Sequence, residues 1–92
     1  MDAKPVKIHI DPHTIERGNE RGASENEIRD VIATGISIAA KPGRMGKAKI
    51  YPFKDKRHGR YYEQKRVEVF YAVEEDIIIA ATFYVFYGKW EA

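Results

Sequence analysis

Residues 66–87 read RVEVFYAVEEDIIIAATFYVFY. Two runs of strand-forming residues flank Glu74-Glu75-Asp76, a turn too short for anything but an antiparallel return. In the first run, which reaches back to Tyr61, Val67, Val69, Tyr71 and Val73 fall on one face at the strand period of two. In the second, Ile77, Ile79, Ala81, Phe83 and Val85 share one face. Ile78, Ala80, Thr82, Tyr84 and Phe86 share the other. Neither face is polar, which predicts a strand in the interior of a sheet over residues 77–87.

Moving toward the N-terminus, residues 54–60 read as a basic loop. Ile50–Phe53 reads as a weak strand that Pro52 confines to an edge. Residues 41–46 are a turn by their Pro and Gly content, and residues 36–40 a short strand. Ser24 and Glu27 form a capping box ahead of Ile28, Val31 and Ile32, which recur at helical spacing, and Gly35 is the stop. Asp11 as N-cap and Pro12 at the first helical position open an earlier helix that runs to about Arg21 and ends at Gly22. That helix has one large apolar residue, Ile15, and an interior Gly18 that costs about 1 kcal/mol relative to Ala. Residues 6–10 alternate as a strand. The order strand, helix, helix, then three or four strands predicts one α+β domain over residues 1–92. Two N-terminal helices would pack on one face of a four- to five-stranded, mainly antiparallel sheet.

Composition narrows the chemistry. The 92 residues contain no Cys, which excludes disulfides, a thiol nucleophile, an iron–sulfur cluster and any zinc site built on thiolate. No carboxylate–His cluster completes a metal site either, so no metal or cofactor is expected. The first ten residues carry two Lys and no apolar run, so neither a signal peptide nor a membrane anchor is expected, and the cytoplasm is the default location.

Charge is segregated. The net charge is only +2, yet residues 41–66 hold ten Lys or Arg opposed by Asp55 and Glu63 alone, a local balance of +8. All 11 aromatic residues lie after position 50. Cations that follow a phosphate backbone, interleaved with rings that stack on unpaired bases, predict an RNA-binding segment. Its candidates are Lys47, Lys49, Lys54, Lys56, Arg57, His58, Arg60, Tyr61 and Tyr62. The plainer alternative is a solvated basic loop beside tyrosines packed into the sheet.

A second pattern bears on catalysis. His13, Arg17 and Arg21 recur every four residues and form one stripe on the first helix. Metal-independent RNA cleavage needs a base, an acid and cations for the charge on phosphorus. His13 would be the base or a positioning group, with Arg17 and Arg21 holding phosphate. Alternatively, His13 hydrogen-bonds locally and both arginines pair with neighbouring acids. If the faces of the last two strands coincide, Arg66, Glu68, Thr82 and Tyr84 line a polar cleft to which Arg66 and Tyr84 contribute catalytic groups.

The stretch His13-Thr14-Ile15-Glu16-Arg17-Gly18-Asn19-Glu20-Arg21-Gly22-Ala23-Ser24, with Thr82-Phe83-Tyr84 near the end, resembles a family of small uncharacterised domains grouped with the RelE/ParE toxin superfamily. The resemblance implies the RelE-like fold. It also implies a toxin with endoribonuclease activity of the mRNA interferase type, acting on free or ribosome-bound RNA, with a cognate antitoxin as partner. A non-catalytic RNA- or protein-binding module of the same fold is the alternative, and a homodimer would use similar surface.

Overall fold

The computed structural model describes residues 7–90. Val6, expected to open the first strand, lies outside the described residues. The elements are β1 (Lys7–Ile10), α1 (Pro12–Arg21), α2 (Glu25–Thr34), β2 (Ile36–Ile38), β3 (Met45–Arg57), β4 (Arg60–Glu74) and β5 (Ile77–Gly88). They build one five-stranded sheet in the order β1-β5-β4-β3-β2.

The helices begin and end on the residues that local chemistry selects. Asp11 accepts from the His13 amide at 2.8 Å, and Pro12 occupies the first turn. Ser24 and Glu27 close the capping box from both sides. Gly22 ends α1 at φ 97°, the left-handed region in which a side chain is strained. Gly18 is buried because a Cβ there would stand 2.6 Å from the Ala23 carbonyl oxygen. The glycine that weakens α1 by propensity therefore lets the α1–α2 turn fold back on the helix.

The expected architecture needs correction. The sheet is mixed and not the RelE-like sheet expected: β1 runs parallel to β5 from Lys7 beside Ile77 to Ile10 beside Ala80, while the other three pairings are antiparallel. Strand also outweighs helix, with two ten-residue helices against strands of 13, 15 and 12 residues in β3, β4 and β5. The physical reason lies in β5, whose apolar opening residues Ile77–Ala80 take a neighbour on each side. β4 supplies one. The other is β1, from which α1 and α2 carry the chain across the sheet to β2 at the far edge.

Two local expectations also change. The weak strand over residues 50–53 and the basic loop over 54–60 are one long β-hairpin. It closes on a two-residue turn, His58-Gly59, with both φ angles positive, as a primed turn requires. A register shift between Pro52 and Asp55 absorbs Lys54, which has φ 48°. In β5 a second shift falls opposite Phe70 and Tyr71. It breaks the strict alternation, so Thr82, Tyr84 and Phe86 share a face with Ile77 and Ile79, while Phe83 and Val85 join Ile78 and Ala80.

Both helices cover the same side of the sheet. Ala23, Ile28, Val31 and Ile32 pack there against Val67, Val69, Tyr71, Ala80 and Phe83. Among the described residues no helix covers the other side.

Candidate nucleic-acid interface

On the helix-covered face the polar side chains are engaged in holding the fold. Lys65, 9% exposed, donates from Nζ to the Gly22 carbonyl at 2.7 Å and to the Glu27 carboxylate at 2.8 Å. Tyr87 Oη donates to the Arg21 carbonyl at 2.6 Å, and Arg57 to the Glu20 carbonyl at 2.9 Å. Three carbonyls at the end of α1 are thus met by side chains of the sheet. Two of these are cations, the charge that a helix C-terminus favours. Lys49 Nζ donates to Asp30 at 2.7 Å and to Thr34 at 2.8 Å, and Tyr51 Oη donates to Asp30 at 2.6 Å. The bonds from Lys49 and Tyr51 hold the Asp30 carboxyl below the ordinary carboxylate range. Burial, and then the Asp30 carboxylate itself, push the Tyr51 phenol far above the ordinary phenol range.

These contacts correct the basic-segment reading. Lys49, Arg57 and Lys65 are internal ties, and Lys47 reaches only Ser37 Oγ at 3.1 Å. Tyr62 packs on Tyr87 with ring centroids 5.6 Å apart. Lys54, Lys56, His58 and Arg60 are exposed at the tip of the β3–β4 hairpin, with Tyr61 beside them at 52% exposure. Lys41 and Arg44 are exposed before β3, at its opposite end, some 12 residues or about 40 Å along the strand. The positive middle of the sequence therefore divides into two clusters.

The catalytic stripe is separated as well. His13 and Arg17 are exposed on α1, and Arg21 lies over the Phe83 ring at 5.4 Å, all on the helix side. Arg66 and Tyr84 project from the other side of the sheet. The five residues His13, Arg17, Arg21, Arg66 and Tyr84 do not converge on one cleft, because a strand sends alternate side chains to opposite faces.

The open face brings together a different set. The faces of β4 and β5 coincide there, with Arg66 beside Phe86, Glu68 beside Tyr84 and Phe70 beside Thr82. Arg66 Nε donates to Glu68 at 2.9 Å. Three rings form a row: Phe70 meets Tyr84 edge-on at 5.9 Å, and Tyr84 stacks with Phe86 at 6.3 Å. Tyr84 and Phe86 are each 46% exposed. The Phe70 ring lies across Gly46 of β3, where a Cβ would stand 2.9 Å from it. Beside the row, a groove of about 570 Å³ is lined by Ala39, Ala40, Lys41, Arg44, Phe70, Thr82 and Tyr84. Phe70, Phe86, Lys41 and Arg44 extend the candidate set. Their signal is aromatic residues two apart on a strand and a cationic turn, and only a known register joins them.

Among the described residues no helix is long and apolar enough to cross a membrane. No family model matches the chain, and neither the curated proteins nor the solved structures contain a match to it.

Proposed function

We propose that the open face of the sheet binds single-stranded RNA. Half-exposed rings in a row at 5.9 and 6.3 Å, beside a groove with two cations on its rim, carry this reading. Bases stack on Phe70, Tyr84 and Phe86, and phosphates meet Lys41, Arg44 and Arg66. Stacking tolerates any base, so sequence preference is weak. About three phosphate contacts on a single strand give a salt slope of about −2 in log–log form.

Cleavage of the bound RNA is a second reading, favoured by the Glu68 carboxylate and the Tyr84 hydroxyl on neighbouring strands beside Arg66. The ribose 2′-oxygen would attack phosphorus. Arg66 would hold the charge that builds there, Glu68 would take the hydroxyl proton and Tyr84 would protonate the leaving 5′-oxygen. His13 stands on the far side of the sheet and has no part in it.

One experiment tests both. Labelled single-stranded RNA is titrated with the protein, with and without ribosomes, and the RNA is recovered. Salt-sensitive binding with intact RNA supports the module. Products with 2′,3′-cyclic phosphate ends, lost in Glu68→Gln, support cleavage. The absence of binding at low salt overturns both.

A further inference from the structure

Among the described residues the sheet has two long unpaired edges, and they are built differently. β2 pairs only with Gly46–Ala48, so β3 is unpaired on its outer side from Lys49 to Arg57. That edge carries the devices that stop strands from associating: Pro52, a bulge at Lys54, and the charges of Lys49, Lys54, Lys56 and Arg57. β1 pairs only with Ile77–Ala80, so β5 is unpaired from Thr82 to Gly88. No other described main chain bonds to that side of it. Thr82-Phe83-Tyr84-Val85-Phe86-Tyr87-Gly88 contains no Pro, no charge and no register shift. A segment with this composition on an open edge is a template for another strand.

We propose that this edge pairs with the same edge of a second copy of the chain, antiparallel about a twofold axis at Val85, to give one continuous ten-stranded sheet. The segment is self-complementary. Val85 meets Val85 of the partner subunit, and Tyr84 meets Phe86 of the partner subunit. Phe83 meets the partner subunit's Tyr87, and Thr82 meets the partner's Gly88. Every opposed pair is uncharged, so no like charges face each other, and two aromatic pairs lie on each face of the joint. α1 packs over β5, and its Glu16, Arg17, Glu20 and Arg21 sum to zero charge, so two copies of the helix bring no net repulsion to the joint. The row formed by Phe70, Tyr84 and Phe86 then continues into its mate across the axis. Dimerisation does not depend on RNA binding, and failure of either leaves the other standing.

Charge exchange at the two half-exposed positions tests the pairing and its register. Wild-type protein is sedimented alongside Tyr84→Lys/Phe86→Lys and Tyr84→Glu/Phe86→Glu, with circular dichroism to verify folding. Wild type is expected at twice 10.6 kDa at about 100 μM, a concentration at which an ordinary interface is populated. Each double variant is expected at the single mass, because the register sets Lys against Lys or Glu against Glu. An equimolar mixture of the two is expected to regain the double mass. A monomeric wild type, a lysine variant that stays dimeric, or folded variants that do not combine would each overturn the proposal.

Discussion

The two faces of the sheet draw on the same residue types for opposite ends. On the covered face Lys49, Lys65, Tyr51 and Tyr87 each donate to a carboxylate or a helix carbonyl at 2.6–2.7 Å. Removing such a group from water is costly unless a partner replaces the water, so these side chains are confined to a single arrangement. On the open face Tyr84 and Phe86 keep 46% of their surface in contact with water, and no described helix seals them. A cation or a ring in this protein is therefore classified by the side of the sheet it faces, and the basic segment of the sequence is divided by that rule.

The largest test of the comparison is a pair of truncations. Ile28 of α2 is completely buried against the sheet, and Ile28→Ala is expected to lose about 2–5 kcal/mol in urea unfolding while the remaining folded protein keeps its RNA affinity. Tyr84→Ala, on the open face, is expected to weaken RNA binding by about 1–3 kcal/mol, roughly 5- to 150-fold, with unfolding changed much less. Interchanged results would show that the open face is structural. Next comes acid sensitivity. Burial raises the Glu27 carboxyl, but bonds from Lys65 and the Ser24 amide outweigh it and hold the group below its ordinary 4.5. A carboxyl held low in the folded state stabilises fully above its unfolded pKa, and that contribution disappears as pH falls through the folded value. Stability is therefore expected to fall on acidification below about pH 4.5, and Glu27→Gln to flatten that part of the curve. An unchanged acid limb in the variant would assign the sensitivity elsewhere.

Two smaller effects sharpen the same contrast. Lys41→Ala/Arg44→Ala is expected to reduce the salt slope of RNA binding by about 1.4, the share of two phosphates on a single strand. His13→Ala/Arg17→Ala is expected to leave RNA affinity within about twofold and stability within about 0.5 kcal/mol, because both groups are exposed on the helix side. A large loss of RNA binding in that variant would return α1 to the site.

Much of the local structure was legible. Asp11, Pro12, Ser24, Glu27 and Gly22 mark the helix ends, because caps act over three or four residues and their partners are close in sequence. The β4–β5 hairpin follows from its period of two and its acidic turn. The hairpin of β3 was less visible: Pro52 and the density of Lys concealed a 13-residue strand. Of the candidate site, Arg66 and Tyr84 were recognisable and do share a face, but their company was not. His13, Arg17 and Arg21 form a true stripe on α1 that the fold sets apart from them.

The chain by itself determined its helix limits, its strand-rich second half, the lack of thiol chemistry and the excess of cations over residues 41–66. Each of these depends on neighbours along the chain or on composition. Tertiary structure alone decided that β1 lies parallel beside β5, that one extra residue of β5 opposite Phe70 and Tyr71 redirects Thr82, Tyr84 and Phe86, and which cations are tied to α1 and α2. Those outcomes depend on strand register and on which carboxylate or carbonyl arrives from 19 to 43 residues away. A shift of one residue exchanges the faces of a strand, and no local pattern encodes that choice.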